Sequence, residues 1–328
     1  MRRPLCPLVA LLVAALAAGC GGVDEGSAPT PQPELSGKPA DFPKVRGGTL
    51  EDIQAEKGRS LVFRPTVKDL RRGTNRYGFA LYDVAGKQVL GAPVALYTAR
   101  KDGHGVHGPY IARSESLKVS GPFQSRTTAS DPNAAKAIYV ADVPFHRWGD
   151  QIVVAIARLD GRLVMTSPYG ADVVRGGVHP PDVGDRAIRV HTRTLADVGG
   201  DPAQLDTRVP PATDLLKSDL FDVVGRRPVV ITFATPALCQ SRVCGPVVDI
   251  VEQAKAQAPS GVAFIHQEIY QDNEVRRGIQ GPVAAWRLQT EPWTFVIARS
   301  GRIAARFEGA FSLDELERAI AKVTKRST

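Results

Sequence analysis

Several features are scarce or missing in this sequence of 328 residues. It has only four cysteines, and its apolar run near the start, Leu5 to Ala18, is too short for an ordinary membrane span. It also has no basic stripe interleaved with aromatic residues. The net charge of +8 comes from scattered lysines and arginines mixed with 34 acidic residues. This mixture is typical of a solvated surface, so we expect no nucleic-acid partner.

The first 19 residues have the plan of a secretory signal. Arg2 and Arg3 precede the apolar run, and small residues lead to Cys20. The end of the segment, LAAGC, resembles the lipobox of bacterial lipoproteins, with Ala17 in place of the usual leucine. The resemblance implies cleavage before Cys20 and lipidation of that cysteine, with plain secretion or an uncleaved anchor as the alternatives. We therefore predict a signal peptide at 1–19 and a lipid-anchored protein on the extracytoplasmic face of the cell membrane.

Composition divides the remaining chain into three parts. Residues 20–46 are rich in Gly, Pro and Ser and have few large apolar residues, which predicts a flexible tether. Short apolar stretches separated by turn signals fill residues 47–178, and this pattern of residues ends at the sequence GGVHPPDV. We predict one domain at 47–178 and a second at 181–328, because the chain is long enough for two.

The strand pattern of 47–178 favours an all-β sandwich of immunoglobulin-like type. No Cys–Trp–Cys spacing occurs, so an antibody-type domain is not indicated. His104 and His107 form an H-x-x-H pair, but a closed metal site needs three or four ligands, so we expect no metal there. Packing or partner binding is the expected role of this part.

Two cysteines, Cys239 and Cys244, remain after the signal, in a compartment where a disulfide persists. The run PVVITFA before them predicts a buried strand, and apolar residues at helical spacing begin at Cys244. A helix N-terminus lowers the pKa of a thiol. Five steps along a helix rise about 7.5 Å, which is too far for a disulfide, so Cys239 must lie in the loop before the helix.

The second part resembles extracytoplasmic thioredoxin-fold proteins, which include TlpA-type reductases, peroxiredoxins and Sco-type copper chaperones. The resemblance depends on Gly245-Pro246 after the second cysteine, on Trp286 and Pro292, and on a capping box from Ser312 to Glu315. It implies an α/β thioredoxin-like fold with a cis Pro292 facing the cysteines. The predicted fold class is therefore multidomain: an immunoglobulin-like sandwich followed by a thioredoxin-like domain.

The chain departs from that family in ways that affect its activity. No tryptophan precedes the cysteines, their spacing is C-x4-C, and Thr232 stands where thioredoxins place a buried acid. Glu291, immediately before Pro292, is the predicted substitute for proton relay, and His266 on the neighbouring strand is a second candidate. The predicted catalytic residues are therefore Cys239, Cys244, Pro292 and Glu291.

Four functions are compatible with the cysteine pair. The favoured one is thiol–disulfide exchange, with Cys244 attacking and Cys239 resolving. A structural disulfide in a binding or assembly factor, and a copper site like that of Sco-type chaperones, are the alternatives. A peroxidase is disfavoured because Pro236-Ala237-Leu238 precedes Cys239 where peroxiredoxins need Thr or Ser. We expect no cofactor and no metal. The expected partner is a protein thiol or disulfide client, or a membrane electron donor.

Overall fold

The computed structural model describes residues 37–57 and 61–325. The predicted signal peptide at 1–19, the lipidation site Cys20 and most of the predicted tether at 20–46 lie outside the described residues. Within the described part, none of the helices combines the length and the apolar character that a membrane span requires.

Fifteen strands and five α-helices run through the described residues. In chain order, β1 to β11 are Val45–Arg46, Glu56–Lys57, Leu61–Pro65, Gly73–Asp83, Val94–Arg100, His107–Ile111, Arg113–Ser116, Ala137–Phe145, Gly149–Leu159, Arg162–Met165 and Tyr169–Val173. Strands β12 to β15 are Val229–Phe233, Ala263–Gln267, Trp293–Ile297 and Ile303–Glu308. Helices α1 to α5 are Arg126–Ser130, Leu220–Val223, Cys244–Gln257, Gly281–Ala285 and Leu313–Thr324.

The first eleven strands form two sheets with an apolar core between them. One sheet has the order β1-β6-β5-β9-β10-β2, with β11 also paired to β9, and the other has the order β3-β4-β8-β7. Strand β8 contributes apolar side chains on both of its faces. Its Tyr139, Ala141 and Val143 join the core between the two sheets, whereas Ile138 and Val140 join a second core on the opposite face. Both faces of this sheet are therefore covered.

The third sheet has the order β13-β12-β14-β15. Strand β12 runs parallel to β13 and antiparallel to β14, with Ile231 opposite both Ile265 and Phe295. The five residues of β12 are all buried. Alternate side chains point to two cores: Val230 packs in the core that contains residues of α3 and α5, and Ile231 packs with Trp286 on the other face.

The second core joins the third sheet to the N-terminal sheets. It contains Ile138 and Val140 of β8 together with Val247 of α3 and Leu316 of α5. Two arginines of the N-terminal strands, Arg76 and Arg113, also pair with Glu315 of α5. Contacts between Cα atoms accordingly place residues 37–57 and 61–325 in one compact unit. The domain boundary between 178 and 181 remains a prediction.

The predicted fold class, with an α/β thioredoxin-like second half, is wrong. Three β-sheets dominate the described residues, and among their helices only α3, with 14 residues, and α5, with 12, are longer than five residues. Between Asp182 and Val224 the chain has irregular backbone, short 3-10 turns and the four-residue α2. Buried leucines in this segment, such as Leu205 and Leu215, lie in or beside the short 3-10 turns. The chain is a predominantly β protein.

Candidate functional site

The structure contains the predicted disulfide between Cys239 and Cys244, with the two Cα atoms 6.0 Å apart. Cys239 lies in the loop after β12, where its N–H donates to the carbonyl of Thr235 at 3.1 Å. Cys244 is the first residue of α3. The prediction that the first cysteine must precede the helix is therefore confirmed, because only the loop brings the two Cα atoms within bridging distance.

The two sulfur-bearing residues differ in their access to solvent. Cys244 is 0% exposed, whereas Cys239 is 8% exposed and borders a cavity of about 630 Å³. The Sγ atom of Cys239 also lies 3.1 Å from the hydroxyl of Ser241. Of the two cysteines, Cys239 is therefore the more accessible to solvent. The sequence analysis gave the attacking role to Cys244, the less accessible of the two.

Glu291 lies beside both sulfurs, as the sequence predicted. Its carboxylate and the Sγ atoms of Cys239 and Cys244 lie within 4.8 Å of one another. Burial, with the charge of Glu268 added, raises the pKa of Glu291 above its ordinary value. The carboxyl group is thus suited to hold a proton next to the disulfide. Pro292 follows it directly through a cis peptide bond.

His266, the second predicted proton carrier, lies in a separate buried cluster. Its Nδ1 is 3.5 Å from the carboxylate of Asp206, and its Nε2 is 3.1 Å from the carbonyl of Ala234. Burial opposes its protonation, but the carboxylate of Asp206 and the charge of Glu268 outweigh burial and raise the pKa of His266 to about 9. A pKa of about 9 favours the protonated form of His266 at neutral pH, and the charged groups beside it are carboxylates and not the cysteines.

Sequence reasoning missed the two acids of this cluster, Asp206 and Glu268. Glu268 stands two residues after His266, a spacing that places both on one face of an extended chain, and this was the available signal. Asp206 lies in the irregular segment before α2, with no periodic pattern to point to it. Its carboxylate is satisfied by the backbone N–H groups of Arg208 and Ala212.

The buried cluster is connected to the cysteine loop by Thr207. The backbone N–H and the hydroxyl of Thr207 donate to Glu268 at 2.8 and 2.6 Å. The same hydroxyl accepts the N–H of Ala237, two residues before Cys239, at 3.0 Å. Burial raises the pKa of Glu268. The protonation state of the cluster is therefore linked to the hydrogen bonding that positions the loop.

Two groups among the described residues have the geometry of metal ligands: Cys239 with Cys244 and Glu291, and Asp206 with His266 and Glu268. The first group requires a reduced pair, because the thiolate is the ligand form of cysteine. It includes no histidine, unlike the copper site that the family resemblance suggested. In the second group, the carboxylate of Asp206 already accepts hydrogen bonds from backbone N–H groups and pairs with His266.

No family model and no curated protein matches this chain. Among solved structures, it is similar to the crystal structure of the human F-spondin reeler domain (fragment 1), at 9% sequence identity. The match covers 37% of this chain and 94% of that chain, with a TM-score of 0.20. A TM-score this low supports no conclusion about fold or function.

Proposed function

We propose that this protein is a thiol–disulfide oxidoreductase that exchanges the Cys239–Cys244 disulfide with an external thiol. One observation carries the proposal: the disulfide has one sulfur at a cavity wall and the other buried at the start of α3, with the Glu291 carboxyl close to both. Exchange requires an accessible sulfur to attack and a second sulfur that leaves readily.

In this proposal each residue of the site has a role. An incoming thiolate attacks Sγ of Cys239, the sulfur–sulfur bond breaks, and Cys244 leaves as a thiolate. The unpaired N–H groups at the start of α3 favour negative charge on Cys244. Glu291, whose pKa is raised by burial and by Glu268, donates its proton to the departing sulfur. In the reverse direction Cys244 attacks the mixed disulfide on Cys239.

The reduction potential of the pair tests this proposal. The protein would be equilibrated with glutathione buffers, and free thiols would be trapped and counted by mass spectrometry. A midpoint between about −120 and −270 mV is expected, since working oxidoreductases lie in that range. A midpoint below about −300 mV would contradict the proposal, because structural disulfides lie there.

A structural disulfide in a binding or assembly factor is the second candidate. It is favoured by the position of both cysteines within the core shared by β8, α3 and α5. In that case the bond stabilises the surface formed by the cysteine loop and the N-terminal sheets. The double variant Cys239→Ser with Cys244→Ser would then retain full function, whereas an oxidoreductase would lose it.

We also propose that the protein is lipid-anchored through Cys20 on the extracytoplasmic face of the membrane. The sequence LAAGC and the preceding apolar run support this location. A protein client or a membrane electron donor would then act as one partner of the cysteine pair. Mass spectrometry of the mature N-terminal peptide tests the anchor, and Cys20→Ala should release the protein from membranes.

A further inference from the structure

Two cavities flank the cysteine loop. The larger, of about 1090 Å³, is bordered by residues 240–243 of the loop and by Glu291. The smaller, of about 630 Å³, is bordered by Cys239. Among the residues that the structure describes, a cysteine borders the smaller cavity and none borders the larger one. The volume of the smaller cavity lies within the range of about 300 to 1,000 Å³ that is usual for small-molecule sites.

The second wall of the smaller cavity comes from the N-terminal part of the chain. The connection between β7 and β8, which includes α1, lies against the cysteine loop and the start of α3. The N–H of Ala135 donates to the carbonyl of Arg242 at 3.3 Å. A Cβ atom on Gly245 would lie 2.8 Å from the hydroxyl of Thr128, so the wall and the helix are in close contact.

Buried polar contacts hold this wall in place. Asp249 of α3 accepts hydrogen bonds from the N–H and the hydroxyl of Ser125, both at 3.2 Å. Arg208 donates to Asp249 at 2.8 Å and to the carbonyl of Phe123 at 2.8 Å. Asp249 and the guanidinium of Arg208 are almost fully buried. The cavity is therefore formed by a fixed arrangement of two parts of the chain.

The lining of the cavity combines apolar residues with polar ones, among which Arg126 and Arg242 are cations and Asp131 is an acid. Besides Cys239 it includes Arg126, Thr127, Thr128, Asn133 and Arg242. Arg242 pairs with Asp131 at 3.1 Å. The Arg126 side chain is exposed and has no ion-pair partner within residues 37–57 and 61–325. A guanidinium binds a carboxylate in a bidentate manner, and hydroxyl and amide groups supplement such a contact.

We propose that this cavity binds a small thiol that bears a carboxylate, with Arg126 holding the carboxylate and Cys239 receiving the thiol sulfur. The inference rests on the proposed function and names one of the two partners that a redox cycle requires. The wall formed by the β7–β8 connection restricts access to Cys239, which favours a small molecule over a folded protein at this sulfur.

The exchange balances with two molecules of the thiol. The first attacks Sγ of Cys239 as a thiolate, forms a mixed disulfide and releases Cys244, which takes up a proton. A second thiolate attacks the sulfur of the bound molecule and releases Cys239, which also takes up a proton. Two thiols are thereby oxidised to one disulfide, and the protein disulfide is reduced to two thiols.

Reduction rates with two matched probes test the inference. The probes are glutathione, which has two carboxylates, and glutathione diethyl ester, which has none. We expect glutathione to reduce the purified protein about tenfold faster per thiolate. Arg126→Gln should bring the ratio of the two rates close to one, and Arg126→Lys should restore part of it. Arg147→Gln, at another exposed arginine, is the control and should leave the ratio unchanged.

The outcomes separate this inference from the proposed function. Equal rates with both probes, or an unchanged ratio in Arg126→Gln, would overturn the carboxylate site while leaving the oxidoreductase proposal in place. A disulfide that neither probe reduces would overturn both. Faster reduction by a protein dithiol than by glutathione, at equal thiolate concentration, would also overturn the inference.

Discussion

Two buried groups of charged residues differ in the number of cations that lie beside their carboxylates. The paired cluster is formed by Arg76, Arg113 and Glu315, where α5 meets the N-terminal strands. Its bonds from the two arginines to Glu315 measure between 2.6 and 3.0 Å. The acid-rich cluster contains Asp206 and Glu268 with one histidine, His266, and the charge of Glu268 also acts on Glu291 beside the disulfide.

The difference shows that neighbours decide the charge state of a buried acid. Burial raises the pKa of Glu315, but Arg76 and Arg113 outweigh it and lower the pKa to about 2. Burial also raises the pKa of Glu268 and of Glu291, and there it is not outweighed. Glu315 therefore keeps its charge and stabilises the fold, whereas in the acid-rich cluster the pKa of Asp206 is lowered by His266 and burial favours the protonated forms of Glu268 and Glu291.

Removing the central acid of the paired cluster should have the largest effect on stability. Glu315→Gln leaves the mostly buried guanidinium of Arg76 without its counter-charge and removes one of the carboxylate partners of Arg113, which keeps Glu115, so we expect a loss of roughly 3 to 5 kcal/mol. Urea unfolding measures it. The control is Glu56→Gln, which breaks the exposed ion pair with Arg162 at 3.2 Å and should cost less than about 1 kcal/mol. Equal losses in the two variants would contradict the role given to the paired cluster.

The acid-rich cluster should make stability depend on pH through His266. Because the folded pKa of about 9 lies above the ordinary value of 6.5, the contribution is complete below pH 6.5 and is lost as pH rises through 9. We expect a decline of about 3 kcal/mol over this interval. Unfolding at a series of pH values should show a flatter profile for His266→Gln. His104→Gln, at an exposed histidine, is the control and should retain the wild-type dependence of stability on pH. A wild-type stability that does not change between pH 6.5 and 9 would contradict the positive charge assigned to His266.

Glu291 should affect the chemistry of the disulfide more than the stability of the fold. Glu291→Gln removes the proton donor beside Cys244, so we expect dithiothreitol to reduce the pair about a hundredfold more slowly at pH values below the Glu291 pKa. The difference should shrink as pH rises and the wild-type carboxyl loses its proton. Exposed Glu274→Gln is the control. Identical pH–rate profiles for wild type and Glu291→Gln would remove Glu291 from the mechanism.

Reduction of the disulfide should have the smallest effect and a local one. We expect a loss of about 2 kcal/mol, because the bond closes a short loop. Hydrogen–deuterium exchange should increase in residues 236–243 and remain unchanged in α5, where the paired cluster lies. Increased exchange throughout α5 would mean that the disulfide holds the shared core together.

Local patterns predicted some of these features correctly. The apolar run Pro228 to Ala234 corresponds to β12, and the capping box from Ser312 to Glu315 begins α5 as expected. The disulfide and its position before α3 followed from the cysteine count and from helix geometry. These features depend on residues close together in sequence, which is why they could be predicted.

Features that join distant segments were not predictable in this way. Asp206 reaches His266 from irregular backbone, and Ser125 reaches Asp249 across 124 positions of sequence. The relative burial of Cys239 and Cys244 depends on the same long-range packing. For that reason the helix N-terminus alone could not predict which of the two cysteines is the more accessible.

The sequence by itself determined the cysteine pair, the loop-to-helix geometry that allows its disulfide and the proximity of Glu291 to Pro292, because local spacing and backbone sterics are sufficient for these. Only the tertiary structure decided which sulfur is accessible, which carboxyl groups have a raised pKa and where a second wall covers the site. Those properties depend on desolvation and on contacts between segments far apart in the chain. Such contacts form only when the three sheets pack together.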